Sequence, residues 1–584
     1  MSGQETHWHD MDTVCKRAKF LADEVPDKEL FVFYDGDRRD AYTARELYTL
    51  AGRFANRLRQ QGFERQDVIA NTLANSPERV ITDLGIMLAG CVTMNGQLLM
   101  ADGSDFFRSA KNSRCRGIVM AVGESSAGWQ LLGKYITVNN SQYVGDVLIK
   151  QAPEVKAAIL VHREKDSQKK PFIDDLKTCG ADIYDDKSIA PEDFGMVKTT
   201  SGSTGYSKLV PRTHKEIVTA MDLINSRRQW THPRDNRSKI YSERLLGWAV
   251  GMTAKTFCMA ETRVLSDKMS SPGPLSGAAI WRLVVAEGCN NCSLTLQDYE
   301  SIYNHVTGTG GPKHRLDDVE LAGQPVTEAQ VKKTLTLSKA VTVAYGSTET
   351  YLIAEKRLHD SDDSYSSNNS GQPIAGTTVR VVDDKGEICK PGVTGTIHVT
   401  GPLVFKGYFN RLEDPDPQTK LAFTSDGWVN TNDYGYVDDS GDLFVLGRNN
   451  DIIVHGNYLF YPSWMENRLM EHPDILVACL VPVSDPVVYQ NICACLKLVS
   501  GSELTEEKIK AYCQSTFLPS VSTVMTHMPD FYILFNDEFP ETATGKPDKV
   551  TLRKMAEDKF GYIGRSKKVS SAVAWKGGCV IGGL

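Results

Sequence analysis

Ten residues, Thr199-Thr200-Ser201-Gly202-Ser203-Thr204-Gly205-Tyr206-Ser207-Lys208, constrain this chain more than any other stretch. From Thr200 to Gly205 every residue is a glycine or carries a hydroxyl, and Lys208 follows three positions on. Two glycines let backbone N–H groups approach an anion closely, the hydroxyls add donors without bulk, and the lysine supplies one movable positive charge. Such a loop suits a polyphosphate. It is not a P-loop, because Tyr206 and Ser207 separate Gly205 from Lys208. Asp193-Phe-Gly-Met-Val-Lys before it and Leu209-Val210 after it predict that the loop joins two strands.

With 584 residues the chain is too long for one core of usual size, so two or more domains are expected. A hydrophobic content of 41%, a charged content of 24% and a net charge of -7 give no electrostatic case for nucleic acid or an anionic membrane. The 13 cysteines are scattered and predict reduced thiols. Cys289-x-x-Cys292 and Cys493-x-Cys495 lack second ligand pairs nearby, so zinc is not expected. Met1 to Asp10 has no apolar core of a secretory signal, and Val80–Leu99 is interrupted by Asp83, Asn95 and Gln97. The expectation is a soluble, cytoplasmic protein without a transmembrane segment, an organelle being left open.

Along the chain, residues 43–61 carry helical spacing, with Leu47, Leu50, Ala51, Phe54 and Leu58 on one face. Thr43 with Glu46 reads as a capping box. A strand from Val68 precedes a helix begun by Ser76-Pro77, and Gly117–Val122 and Ala157–His162 read as buried strands. This alternation argues α/β layers with much parallel sheet. Later, Thr378–Val382, Gly395–Thr400 and Gly441–Leu446 are strands split by turn signals, an antiparallel or barrel-like texture. The strand Val341–Ala344 ends in Tyr345-Gly346-Ser347-Thr348-Glu349. Ligands bind outside the carboxyl ends of such strands, where Tyr345 can stack on a purine and Glu349 can hold a hard cation bridging phosphates.

These motifs together resemble the AMP-forming acyl-CoA synthetase and adenylating-enzyme superfamily. The loop is similar to its signature T-S-G-T/S-T-G-x-P-K, with Ser207 in place of the proline. Tyr345 to Glu349 resembles Y-G-x-T-E, and Ala322-Gly323-Gln324-Pro325 resembles the adenine-contacting G-G-x-P. Thr431-Asn432-Asp433 stands for T-G-D, Gly447-Arg448-Asn449-Asn450 resembles the domain junction, and Pro540 to Lys546 matches P-x-T-x-x-G-K. The series spans roughly residues 40–550 in family order. It implies a large N-terminal domain of α/β layers plus a β-barrel-like part (1–449), a small mobile α+β domain (450–565) and a flexible tail (566–584).

The resemblance also implies roles. Thr200, Ser201, Gly202, Ser203, Thr204, Gly205 and Lys208 would hold the phosphates of ATP, with Thr204 and Glu349 serving Mg²⁺. Gly323, Gln324, Tyr345, Gly346 and Thr348 would receive the nucleotide. Asp433 would accept the ribose hydroxyls, Arg448 would contact the nucleotide, Asn450 would be the hinge and Lys546 the catalytic lysine. Arg244 and Trp248 fall where the family builds its acid pocket. The expected activity is ATP-dependent activation of a carboxylic acid, expected to be fatty, as an acyl-adenylate, followed by transfer to coenzyme A. Aryl acids, a carrier-protein or luciferase-like acceptor, and a nucleotide-binding protein without catalysis are the alternatives.

Overall fold

The computed structural model describes residues 8–96, 103–123, 126–138, 143–163, 170–184, 186–200, 207–228, 238–270, 275–312, 314–323, 326–360, 365–413, 415–448, 451, 453–455, 458–460, 462–485, 489–517, 528–542 and 546–561. It forms two compact units. The first comprises residues 1–380, 398–431 and 437–443, and the second 381–397, 432–436 and 444–584.

Strand alternation explains the layering of the first unit. In the strand Glu29–Asp35, Phe31 and Phe33 enter one core and Val32 enters another. In Val68–Asn71, Ile69 joins the core of Phe31, whereas Val68 and Ala70 join a third. Both faces of both sheets are therefore covered, as parallel sheets require. The shared core is filled by helices lying between the sheets, including Val14–Glu24, Ala44–Gln60, Pro77–Leu88 and Thr253–Met259. Pro77–Leu88 is buried along its whole length, so its charges need partners. Arg79 pairs with Asp83 at 2.8 Å, and Glu78 pairs with Arg163.

The capping box at Thr43 and Glu46 is present, and the helix runs Ala44–Gln60. Ser76 caps Pro77–Leu88 through the Arg79 N–H. The eight-stranded sheet runs Lys208–Thr213, Phe194–Thr200, Val92–Asn95, Val68–Asn71, Gly117–Ala121, Ala157–Val161, Val144–Val147, Ile136–Val138. Its middle pairings are parallel, from Phe194–Thr200 through to Ala157–Val161. The nine-stranded sheet has a parallel centre of Ala340–Tyr345, Asp318–Ala322, Asn291–Leu294, Lys239–Tyr241, Thr262–Ser266 and Glu29–Asp35. A four-stranded sheet follows in chain order: Thr378–Val382, Gly395–Thr400, Val429–Val437 and Leu443–Arg448.

The second unit is α+β. Its spine is the hairpin of Ile475–Asp485 and Tyr489–Leu498, with Phe531–Phe535 added in parallel. Cys493 and Cys495 lie two apart on one strand, so both point into the apolar core that holds Leu552 and Ala556. In the first unit, burial pushes the Cys289 thiol up to about 12. All four thiols, of Cys289, Cys292, Cys493 and Cys495, are buried in apolar clusters, where they pack as small hydrophobic side chains. Among the described residues, no helix is long and apolar enough to cross a membrane.

Candidate active site

The carboxyl edge of the nine-stranded sheet gathers much of the candidate site. Ala322 and Ala344 are register partners, so Gly323 and Tyr345 emerge side by side. Gly323 has φ 93, a backbone state that glycine reaches without strain. Tyr345 ends its strand half-buried, its carbonyl accepting the Ile353 N–H at 2.8 Å. Gly346 leaves the strand where a Cβ would collide with the Tyr351 carbonyl oxygen, so only glycine fits.

Glu349 is fixed from several directions. Its carbonyl accepts the Phe405 N–H at 2.8 Å, and its N–H donates to Ser347 Oγ at 3.2 Å. The Tyr408 hydroxyl donates to Glu349 Oε1 at 3.0 Å. Arg212, buried, donates to the carbonyls of Thr348 at 2.8 Å and Leu403 at 2.9 Å, and lies over the Tyr351 ring. Tyr351 itself has φ 55, an unusual conformation for a bulky residue, held here by this packing. A half-buried carboxylate with hard oxygen donors fits a Mg²⁺ ion bridging phosphates.

The glycine and hydroxyl loop connects an antiparallel pair, as expected from its flanks. Phe194–Thr200 and Lys208–Thr213 are in register with Thr200 opposite Lys208. Lys208 Nζ stands 4.9 Å from the centroid of the Tyr408 ring. One tyrosine thus brings the lysine of the loop and the carboxylate of Glu349 to the same place. Ser201, Gly202, Ser203, Thr204 and Gly205 lie outside the described residues, as do Gln324 and Asn450.

Ser207, where the motif has proline, is anchored in a way that sequence reading missed. Its N–H donates to Asp105 Oδ1 at 2.6 Å and its hydroxyl to Oδ2 at 2.7 Å. Asp105 is buried in the first turn of the helix Ser104–Asn112. Two carboxylate bonds replace the stiffness that a proline ring would give. The D105A variant is therefore expected to raise the KM for ATP about tenfold, the equivalent of roughly 1.4 kcal/mol, with the acid KM little changed. An unchanged ATP KM in steady-state kinetics would remove Asp105 from the account.

Arg244 and Trp248 lie in the turn after Lys239–Tyr241, at the same sheet edge. Arg244 Nη2 donates to the Leu294 carbonyl at 2.6 Å. Burial lowers its pKa, with Glu320 and Asp298 opposing. Its guanidinium is thus engaged by the end of the neighbouring strand. Trp248 is half-buried, and its backbone N–H donates to the Leu245 carbonyl at 3.0 Å.

In the second unit, Asp433 and Arg448 meet. Arg448 Nε lies 3.0 Å from Asp433 Oδ1, the carboxylate being nearly buried and the guanidinium largely exposed. Asp433 sits within the nine-residue strand Val429–Val437, not in a turn. Asn432 before it has φ 57, so the position that is glycine in T-G-D uses one of the few other residues that tolerate this conformation. Lys546 is exposed on a small hairpin: the Thr542 N–H donates to its carbonyl at 2.7 Å, and its own N–H donates to Thr542 Oγ1 at 3.3 Å. Three residues on, Lys549 pairs with Asp451 at 2.9 Å, with Glu466 at 3.8 Å.

Tyr408, Asp105 and Arg212 had no role assigned from sequence. Their partners are 59 to 200 positions away, so no local spacing could signal them.

Comparison with known proteins gives the geometry its context. Residues 20–409 match the model for the AMP-binding enzyme, and residues 465–546 match that for the AMP-binding enzyme C-terminal domain. The chain is 26% identical over 580 residues to the mitochondrial medium-chain acyl-CoA ligase ACSF2 of Danio rerio, covering 96% of this chain and 91% of that one. It is 24% identical over 537 residues to 4-coumarate–CoA ligase 3 of Oryza sativa subsp. japonica, covering 89% and 88%. The fold is similar to O-succinylbenzoate coenzyme A synthetase from Bacillus subtilis in complex with ATP and magnesium ion, with TM-score 0.71, 19% identity, and coverage of 92% and 99%.

Proposed function

Because the chain belongs to the AMP-binding enzyme family, of the adenylate-forming acid–CoA ligase superfamily, we propose that it joins a carboxylic acid, of fatty type, to coenzyme A at the expense of ATP. The observation that carries this reading is the convergence of Lys208, Tyr408 and Glu349 beside a strand edge that presents Gly323 and Tyr345.

The chemistry runs in two halves. First, a carboxylate oxygen of the acid attacks the α-phosphorus of ATP, the bond to the β-phosphate oxygen breaks, and pyrophosphate leaves. Thr200 to Lys208 hold the β- and γ-phosphates, while Tyr345 stacks on the adenine and Asp433 accepts the ribose hydroxyls. Glu349 and Thr204 would hold Mg²⁺, which when bound would supply neutralisation of phosphate charge. Lys546 approaches the forming bond and offsets the charge shared between carboxylate and α-phosphate. Second, the thiol of coenzyme A attacks the acyl carbonyl, and AMP leaves as the C–O bond breaks. The charge patterns of the two halves conflict. A small domain from residue 450 onward, swinging at Asn450, withdraws Lys546 between them.

The turn holding Arg244 and Trp248 walls the acid. The relatives act on medium-chain acyl, coumarate and succinylbenzoate acids according to their names, so the class is a matter for assay. The test is pyrophosphate release with ATP and Mg²⁺ across acetate, medium-chain, long-chain and aryl acids, with and without coenzyme A. Release that depends on one acid class and accelerates with coenzyme A is expected. ATP binding with no acid-dependent release would return the chain to a nucleotide-binding role.

A further inference from the structure

Lys198 lies on the strand that runs into the phosphate loop, two residues before Thr200. Its side chain is buried, and Nζ donates to the carbonyl of Gly247 at 3.1 Å. Gly247 belongs to the turn that carries Arg244 and Trp248. That turn is strapped by side chains along its length. Arg263 donates to the carbonyls of Ser242, Arg244 and Gly251, and Asn75 donates to those of Glu243 and Arg244 at 3.3 Å. Of these clamps on the turn, Lys198 is the one that comes from the strand entering the phosphate loop.

A second contact follows the same route. A Cβ on Gly247 would collide with Asn95 Oδ1 and lie 3.1 Å from Arg79 Nη2, so the turn presses directly on both side chains. Asn95 Nδ2 in turn donates to Thr199 Oγ1 at 3.2 Å, the residue before Thr200. One hydrogen bond, from Lys198, and one packing contact, through Asn95, therefore run from the acid turn to adjacent residues at the mouth of the phosphate loop.

The polar groups around Lys198 come from three elements, and Arg79 and Asp83 are the charged ones among them. Helix Pro77–Leu88 supplies Arg79 and Asp83, Val92–Asn95 supplies Thr93 and Asn95, and Thr253–Met259 supplies Thr253. Asp83 is already occupied by Arg79 at 2.8 Å, Asn71 at 2.8 Å, Thr93 at 2.9 Å and Thr253 at 2.8 Å. The ammonium is therefore bonded to a neutral carbonyl inside the protein. Burial pushes its pKa down to about 7, with Asp83 opposing and Arg79 adding to the shift.

We propose that Lys198 is a positioning residue that ties the acid-binding turn to the strand end entering the nucleotide loop, so that occupation of either site strengthens binding at the other. The proposal rests on the ligase reading above. While protonated, Lys198 makes a charge-assisted bond to the Gly247 carbonyl; after losing its proton it donates more weakly. The grip on the turn therefore loosens as pH climbs through about 7.

The test compares the wild-type chain with K198M, which keeps the length and loses the donor, and K198Q, which keeps a neutral donor. K198M is expected to raise the acid KM about tenfold and to abolish its dependence on ATP concentration, with kcat within about threefold. Wild-type kcat/KM for the acid is expected to fall as pH rises through about 7, whereas K198Q shows no such limb. If K198M fails to fold, the K198Q pH profile decides alone. An unchanged acid KM in K198M, or a wild-type profile flat through this range, overturns the coupling. So does an equal loss in kcat and both KM values with a lowered melting temperature, which marks a purely structural lysine. A wild-type chain that releases no pyrophosphate with any acid overturns the ligase reading, and the coupling with it.

Discussion

Replacing Lys546 with alanine is expected to cut adenylate formation from acid and ATP by roughly a hundredfold to a thousandfold, while thioester formation from supplied acyl-adenylate stays within a few-fold of wild type. The asymmetry follows from where charge develops. In the first half-reaction two anions, a carboxylate and a polyphosphate, must meet, and a preorganised cation in a water-poor site offsets about 3–4 kcal/mol of that cost. In the second, a neutral thiol displaces AMP and the same cation has no comparable task. The hairpin prepares Lys546 for this role: both backbone groups are bonded to Thr542, leaving an exposed side chain on a fixed base. The base is itself tied down through Lys549 and Asp451. Equal loss of both half-reactions, measured separately by pyrophosphate release and by consumption of synthetic adenylate, would falsify the role.

The E349Q variant is expected to lower adenylation about a hundredfold or more and to shift the Mg²⁺ requirement upward. Glutamine keeps the size and still accepts from the Tyr408 hydroxyl, so the turn should persist. What is lost is the negative charge that binds a hard cation, and with it roughly 3 kcal/mol of phosphate neutralisation. Titrating activity against Mg²⁺ separates this from misfolding. A reduced rate with the wild-type Mg²⁺ midpoint would mean that Glu349 acts through the turn and not through the metal.

Elements and order were legible in the sequence where their causes are local. The helix Ala44–Gln60 announces itself by periodic apolar residues and by Thr43 and Glu46. The antiparallel pair around the phosphate loop shows in the apolar flanks. The α/β layering of the large domain follows from the same local patterns, whereas the division into a large domain and a small α+β domain was implied by the resemblance that the motifs carry in their order. What sequence did not disclose are partners set by the fold. Ser207 read as a weakened proline position, whereas Asp105, about a hundred positions earlier, supplies the missing rigidity. Tyr408 gained its place only when the fold set it between Lys208 and Glu349. Asp433 could pass for a turn aspartate and lies instead in a strand, ion-paired with Arg448. Lys198 gave no signal at all, because a lysine in a strand is ordinarily solvated and only the layered core buries this one.

The most direct test of the central claim is a single-turnover reaction with ATP, Mg²⁺ and the acid class that best drives pyrophosphate release, analysed by mass spectrometry with coenzyme A present and absent. With coenzyme A, acyl-CoA, AMP and pyrophosphate should appear in equal amounts. Without it, acyl-adenylate should accumulate on the protein. Formation of ADP and phosphate in place of AMP and pyrophosphate, or acyl-CoA appearing with no trappable adenylate, would contradict the account.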